Sequence, residues 1–260
     1  MKKINCNTRI IGRRIVNLTE TDSTNLAVRN FTDSEDGHGS VVTAEYQTAG
    51  RGRRGRGWHS PAGTGIWMSL LLKPEIPVEK VSMLTLITAL AAAQAIEDVT
   101  RVSVQIKWPN DLVGAGRKLC GILTELNMTG DQIKDVVIGM GINANMEYFP
   151  EEVAQTATSL RLLKGEEIDR EAVAGRFLER FEEYYDIFCA DLDLSRLKAD
   201  YERRLVNKDR RVRILDPAGE YEATALGVGE TGELLIRLAD GSCREIGAGE
   251  VSVRGIYGYV

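Results

Sequence analysis

Two patterns of apolar and polar positions divide the chain. From Ile10 to about Val206, compact apolar runs alternate with segments of helical periodicity. Val41 to Tyr46, Ile66 to Lys73, Leu119 to Leu126 and Val136 to Ile142 predict strands by their length and composition. Val102, Val104 and Ile106 alternate with Ser103, Gln105 and Lys107, as in a half-buried strand. Ser23 or Thr24 is placed to N-cap a helix through Leu26 and Val28, and Asp169 to cap a longer one. On that longer helix Val173, Phe177, Phe181, Tyr184 and Phe188 share one face, and Leu197, Tyr201 and Leu205 predict a shorter helix after it. These stripes are core positions.

After Asn207 the helical pattern stops. Short runs from Arg211 to Leu215, Tyr221 to Leu226, Glu233 to Leu238 and Val251 to Arg254 predict strands, and Asp240-Gly241 predicts a hairpin turn. So short a stretch cannot build a large core alone, so it should form a small barrel docked on the first part. The expected division is residues 1–206 as an α/β domain and residues 207–260 as a small β domain.

The most apolar segment, Val81 to Val99, approaches membrane-spanning length. Thr85, Thr88 and Gln94 interrupt it, Glu97 and Asp98 close it, and alanine dominates it, which predicts a helix enclosed by protein. The first residues, MKKINCNTRIIGRRIV, contain no continuous apolar stretch or cleavage site, so the protein is expected in the cytoplasm and away from membranes. Acidic residues outnumber basic ones 38 to 33, so no overall positive field draws nucleic acid to the chain, and any basic site must be local. Cys6, Cys120, Cys189 and Cys243 are far apart and, with His38 and His59, give no metal-binding spacing, so reduced thiols are expected.

Four segments carry chemistry. Gly50 to Trp58, GRGRRGRGW, sets Arg51, Arg53, Arg54 and Arg56 among glycines, supplying guanidinium forks and bare backbone N–H groups suited to phosphate. Ordering such a loop is entropically expensive, so it should be mobile until an anion binds. A solvated basic turn or an RNA contact would use the same residues. Lys107-Trp108-Pro109-Asn110-Asp111 follows a predicted strand and packs a lysine, an amide and a carboxylate into five residues, offering a phosphate contact and a magnesium ligand. Trp108 suits a core position. Arg117 to Glu125, RKLCGILTE, enters a strand. Val137 to Asn145, VIGMGINAN, alternates glycine within a strand, which wastes packing unless another group approaches the backbone closely.

Taken in order with Glu20-Thr21-Asp22-Ser23-Thr24-Asn25 and Ala44-Glu45-Tyr46-Gln47-Thr48-Ala49, these motifs resemble those of the biotin protein ligases, in their order and spacing. The resemblance implies an α/β (α+β) catalytic domain with a mixed sheet, related to the class II aminoacyl-tRNA synthetases, followed by an SH3-like β domain. It implies that biotin and ATP, with Mg2+, form biotinyl-5'-AMP, and that biotin then passes to a lysine of a biotin carboxyl carrier protein. Ser23, Thr24, Asn25, Gln47, Gly50, Arg51, Gly52, Arg53, Lys118 and Gly121 correspond to biotin-side positions. Arg53, Arg56, Trp58, Lys107, Asn110, Asp111, Asn143 and Arg254 correspond to nucleotide-side positions. Lys118, Asp111 and Arg53 are the expected catalytic groups, with Asp111 also the candidate magnesium ligand and Cys120 a packing residue. Some relatives carry an N-terminal helix-turn-helix, whereas about nineteen residues precede the first motif here, so DNA repression is not expected. The resemblance also allows a homodimer. Lipoate or octanoate ligation is the nearest rival, and the polar Ser23, Thr24 and Gln47 favour a ureido ring over an aliphatic dithiolane.

Overall fold

The structure is a computed structural model that describes residues 1, 3–248, 252–256 and 259–260. The predicted strands appear with neighbours the sequence pattern had not marked. In chain order the larger sheet contains β1 (Ile15–Thr21), β2 (Val41–Gln47), β3 (Gly65–Leu72), β4 (Gln105–Lys107), β5 (Asp111–Gly114), β6 (Arg117–Thr129) and β7 (Gln132–Asn143). Their spatial order is β1-β2-β3-β7-β6-β5-β4, with β1 parallel to β2 and the remaining pairs antiparallel, so the sheet is mixed as expected.

Helices α1 (Thr24–Val28), α2 (Val81–Thr100), α3 (Glu151–Ala154), α4 (Leu160–Lys164), α5 (Arg170–Asp191) and α6 (Lys198–Arg204) complete the first part. Asp169 caps α5 by accepting from Ala172 N at 2.9 Å. Ser23 occupies the N-cap of α1 but its side chain makes no cap hydrogen bond. Gln47 Oε1 accepts from Thr24 N at 2.9 Å instead, so a neighbouring strand does the capping and the serine is left to the cavity. The apolar segment of α2 is long enough to span a membrane, but 72% of its most apolar window is buried in this protein. It is a core helix, packed against α5.

The period-two pattern sorts the sheet's two faces. Leu70, Leu72, Val136, Ile138, Met140 and Ile142 join the large core with α2 and α5. Their alternates Leu71 and Val137 pack with Val28 of α1 in a small separate cluster. The face carrying α1 is therefore thinly covered, and it is the face on which a cavity can form.

The predicted strand from Val102 begins only at Gln105, and its alternation breaks at Lys107, which is 5% exposed. Lys107 pairs directly with Asp111 across a tight turn whose Trp108–Pro109 peptide is cis. A neutral alternation rule places a lysine outside; here the hairpin turns it inward beside an acidic partner.

The last strands are β8 (Arg210–Asp216), β9 (Gly219–Val228), β10 (Leu234–Arg237), β11 (Cys243–Ile246) and β12 (Ser252–Gly255), in the antiparallel order β11-β10-β9-β8-β12. Val251, at the head of the last predicted run, lies outside the described residues. This sheet shares one continuous core with the larger part, through Val212, Ile214, Val228, Leu234 and Ile236. Trp108 pins the two together: its backbone N donates to Asn207 Oδ1 at 3.0 Å and its Nε1 to Gly232 O at 3.1 Å. Trp108→Ala should therefore cost about 3–5 kcal/mol of stability, the range for truncating a buried aromatic. Denaturant unfolding of the purified variant measures it, and a loss under ~1 kcal/mol would mean that the indole is not a structural pin.

Candidate functional site

A cavity of about 580 Å³ opens on the α1 face and is walled by both sheets. Nearly every predicted site residue lines it: Ser23, Thr24, Asn25, Gln47, Arg51, Gly52, Arg53, Arg56, Trp58, Lys107, Asn110, Asp111, Lys118, Gly121, Asn143 and Arg254. Gly50 does not. It closes the base of the arginine loop, where its carbonyl accepts from Trp58 N at 2.8 Å and a Cβ would lie 2.4 Å from Trp58 O.

One end of the cavity is polar and uncharged. Thr24 Oγ1 donates to Gln47 Oε1 at 3.2 Å, and Gln47 Nε2 donates to Ser60 Oγ at 2.8 Å. Ser69 Oγ lies 2.7 Å from Thr24 Oγ1 and 2.5 Å from Asn25 Oδ1. These contacts fix the orientation of each amide and hydroxyl, a preorganised wall for a ligand with its own donors and acceptors. Gly139 is what lets Asn25 in: a Cβ there would stand 2.0 Å from Asn25 Oδ1.

Between the ends lies Trp58. Gly121 and Gly141 face each other in register on β6 and β7, and a Cβ would come within 2.9 Å and 2.4 Å of the indole respectively. The alternating glycines of the VIGMGINAN motif thus have the close approach that their placement required. Trp58 Nε1 is buried and makes no hydrogen bond, so it is available to an acceptor.

The opposite end is cationic. Lys118 Nζ is 2.7 Å from Asp111 Oδ1, and Tyr259 donates to Asp111 Oδ2. A register shift between Leu112 and Val113 re-aims this end of the β5–β6 pair. Lys107 Nζ sits 3.6 Å from the Tyr259 ring centroid. Burial lowers the Lys107 pKa to about 8; Asp111 opposes that shift, while Lys118, Arg254 and Arg56 add to it by repulsion. Four cations, three of them close enough to depress the fourth, with one carboxylate among them, form an anion-binding site.

In this structure the arginine loop folds back on itself and reaches across the cavity. Arg51 bridges Gly57, and Gly52 N donates to Arg56 O at 2.8 Å. Arg53 supplies the missing enthalpy: it donates to Asn110 Oδ1 at 2.9 Å and to Ala248 O at 2.7 Å, tying the loop to both sheets. Arg51 turns the other way, toward Glu125 at 3.2 Å.

Asp111 Oδ1 is ion-paired with Lys118 and its Oδ2 accepts from Tyr259; among the described residues no group of three acidic, histidine or cysteine side chains gathers, so a magnesium ion here would draw its remaining ligands from phosphate and water. Cys120 is fully buried and burial pushes its thiol far above the ordinary range, so it is a packing residue and no nucleophile. Sequence patterns missed Tyr259, which reaches Asp111 from 148 positions away. They also missed Met146, Phe149, Val153 and Thr156 on the far wall. Neither set has a local signal, since only folding brings them to the cavity.

Two family models match the chain: the Biotin/lipoate A/B protein ligase family over residues 12–143 and the Biotin protein ligase C terminal domain over residues 209–254. A protein named Bifunctional ligase/repressor BirA from Bacillus spizizenii is 37% identical over 236 residues, 90% of this chain and 72% of that one. A Biotin--[acetyl-CoA-carboxylase] ligase from Mycobacterium tuberculosis is 35% identical, over 80% of this chain and 77% of that one. Among solved structures, a biotin protein ligase from Aquifex aeolicus in complex with biotin and ATP superposes with a TM-score of 0.82 at 31% identity, covering 94% of this chain and 99% of that one.

The Lys107 shift has a defined sign. Because its pKa is about 8 in place of 10.5, the cation is lost as pH rises through 8 and anion binding should weaken there. Between those values the unfolded chain holds the extra proton, so the same group makes the fold more stable as pH rises. Titration calorimetry with inorganic pyrophosphate from pH 7 to 9 should show the loss in the unaltered protein and a flatter profile in Lys107→Met. Parallel profiles would remove Lys107 from the anion site.

Proposed function

The chain belongs to the Biotin/lipoate A/B protein ligase family, and we propose from this that it activates biotin with ATP and passes it to a lysine of a biotin carboxyl carrier protein. The observation that carries the reading is the cavity's chemical division: an uncharged polar wall at one end and four cations at the other. A biotinyl adenylate has a matching division, with an uncharged ureido ring at one end and an anionic phosphate beyond the acyl chain, carrying adenosine.

In the first half-reaction the ring lies against Ser23, Thr24, Asn25 and Gln47, which directs the carboxylate past Trp58 toward Lys118. The carboxylate oxygen attacks the α-phosphorus and pyrophosphate departs. Lys118 screens two anions that must touch, and Arg53, Arg56, Lys107 and Arg254 face the phosphates. Asn110 and Asn143 serve the nucleotide side. Gly50, Gly52 and Gly121 serve through space and backbone, since a side chain at Gly50 or Gly121 would collide with its neighbours. Mg2+ enters as the counter-ion of the triphosphate; the residues here form no cage for it, and no step is assigned to it.

In the second half-reaction the carrier's lysine amine attacks the mixed anhydride carbonyl and AMP leaves. An ordinary lysine, with a pKa of ~10.4, must first lose a proton. We assign the orientation of that amine to Asp111. The carrier is the proposed partner and the cytoplasm the proposed location. The repressor activity in some relatives' names is not assigned to this chain, and neither DNA nor a lipid surface is proposed as a partner.

Pyrophosphate exchange with biotin, lipoate and octanoate offered separately tests the reading. Exchange should require biotin; exchange with lipoate or octanoate alone would reverse the assignment. Lys118→Ala should lower biotin-dependent exchange by roughly 10²-fold or more while the protein stays folded, as for removal of other oriented electrostatic groups. Near-normal exchange would remove Lys118 from that role.

A further inference from the structure

Glu125 ends the RKLCGILTE motif on β6 and does not line the cavity, yet groups from two segments, α1 with its C-cap Arg29 and the arginine loop, converge on its carboxylate. Asn25 Nδ2 donates to Oε2 at 2.8 Å. Arg51 Nη1 stands 3.2 Å from Oε1, and Arg29 Nη2 3.8 Å from Oε2. Asn25 cannot turn its amide over without losing Ser69, whose hydroxyl is 2.5 Å from Oδ1, and it packs against the bare backbone of Gly139. Arg29 is held in turn by Asp135, 3.4 Å away, itself accepting from Asn127 at 2.9 Å. The carboxylate is therefore fixed from behind by Arg29 and from the cavity wall by Asn25, and it presents its remaining oxygen to the arginine loop.

We propose that Glu125 is a positioning residue that couples the ring-binding wall to the arginine loop and so governs retention of the adenylate. The proposal rests on the reading of the site as one that binds biotinyl adenylate. Two arginines anchor the loop in opposite directions: Arg53 to Asn110 and Ala248, and Arg51 to Glu125. The second of these touches a residue, Glu125, that also bonds the wall. Displacement of Asn25 by a poorly fitting ring moves the acceptor of Arg51, and the loop loses that anchor. A well-fitting ring holds Asn25, Glu125 and Arg51 in line, and the loop stays down over the anhydride.

Glu125→Gln keeps the size and an acceptor for Asn25 but loses the charge that holds Arg51 and Arg29. Because Arg51 is about half exposed, solvent screens the pair, and the adenylate should dissociate roughly 2- to 5-fold faster. Glu125→Ala also strips Asn25 of its acceptor and should exceed that. The decisive measurement is a double-mutant cycle with Arg51→Gln, read in two ways. One is the dissociation rate of biotinyl-AMP; the other is protease cleavage within residues 50–57 of the unliganded protein. Coupling predicts that Glu125→Gln accelerates both in the unaltered background and neither in Arg51→Gln. Additive effects in the cleavage cycle, or none, would overturn the coupling whatever the ligand is. Coupled cleavage with no adenylate formed would leave the latch standing and sink the functional reading instead.

Discussion

Gly121 and Gly141 stand opposite each other on adjacent strands, and the indole of Trp58 rests where their side chains would be. The cavity's depth follows from that register. A methyl at either position would lift Trp58, and with it the end of the arginine loop, since Trp58 N is bonded to Gly50. Gly139, two residues back on the same face, makes the same allowance for Asn25. Two adjacent strands that between them give up three side chains lose packing and conformational restraint. The large core on the opposite face, where α2 and α5 cover the alternate residues, compensates.

The cationic end shows the complementary compromise. Burying Lys107 beside Lys118, Arg56 and Arg254 opposes folding: desolvation first, and repulsion from the other cations after it, depress the Lys107 pKa. Asp111 and the face of the Tyr259 ring relieve part of the repulsion. The surplus positive charge is what an incoming polyphosphate meets, so the same repulsion that weakens the fold strengthens anion binding.

The small C-terminal sheet is a wall of the site as well as a docked appendage. Ala248 holds Arg53, Arg254 lines the cavity and Tyr259 reaches Asp111, while Trp108 and Gly232 fix the sheet in place. Charge stabilisation and loop closure thus depend on a contact between parts of the chain that are distant in sequence.

Read alone, the sequence determined the mixed α/β class, the helix at Asp169, the alternating core stripes and the ordered motifs that name the cavity's residues. Each of these rests on local physics: periodicity, capping chemistry, glycine's tolerance of close approach. Folding decided what the local pattern got wrong or left blank. Lys107 is on the polar side of its strand's alternation yet is buried, because its pairing with Asp111 turns it inward. Ser23 is a good cap in sequence yet its side chain makes no cap bond, while Gln47 from a neighbouring strand accepts from Thr24 N at the same helix end. The arginine loop, floppy by composition, takes a course set by Asn110, Ala248 and Glu125. Tyr259 has no local signal at all. What the sequence could not give were partners separated by tens to hundreds of residues, since the energy of a buried charge or a glycine-rich loop depends on the groups that surround it and not on its neighbours in the chain.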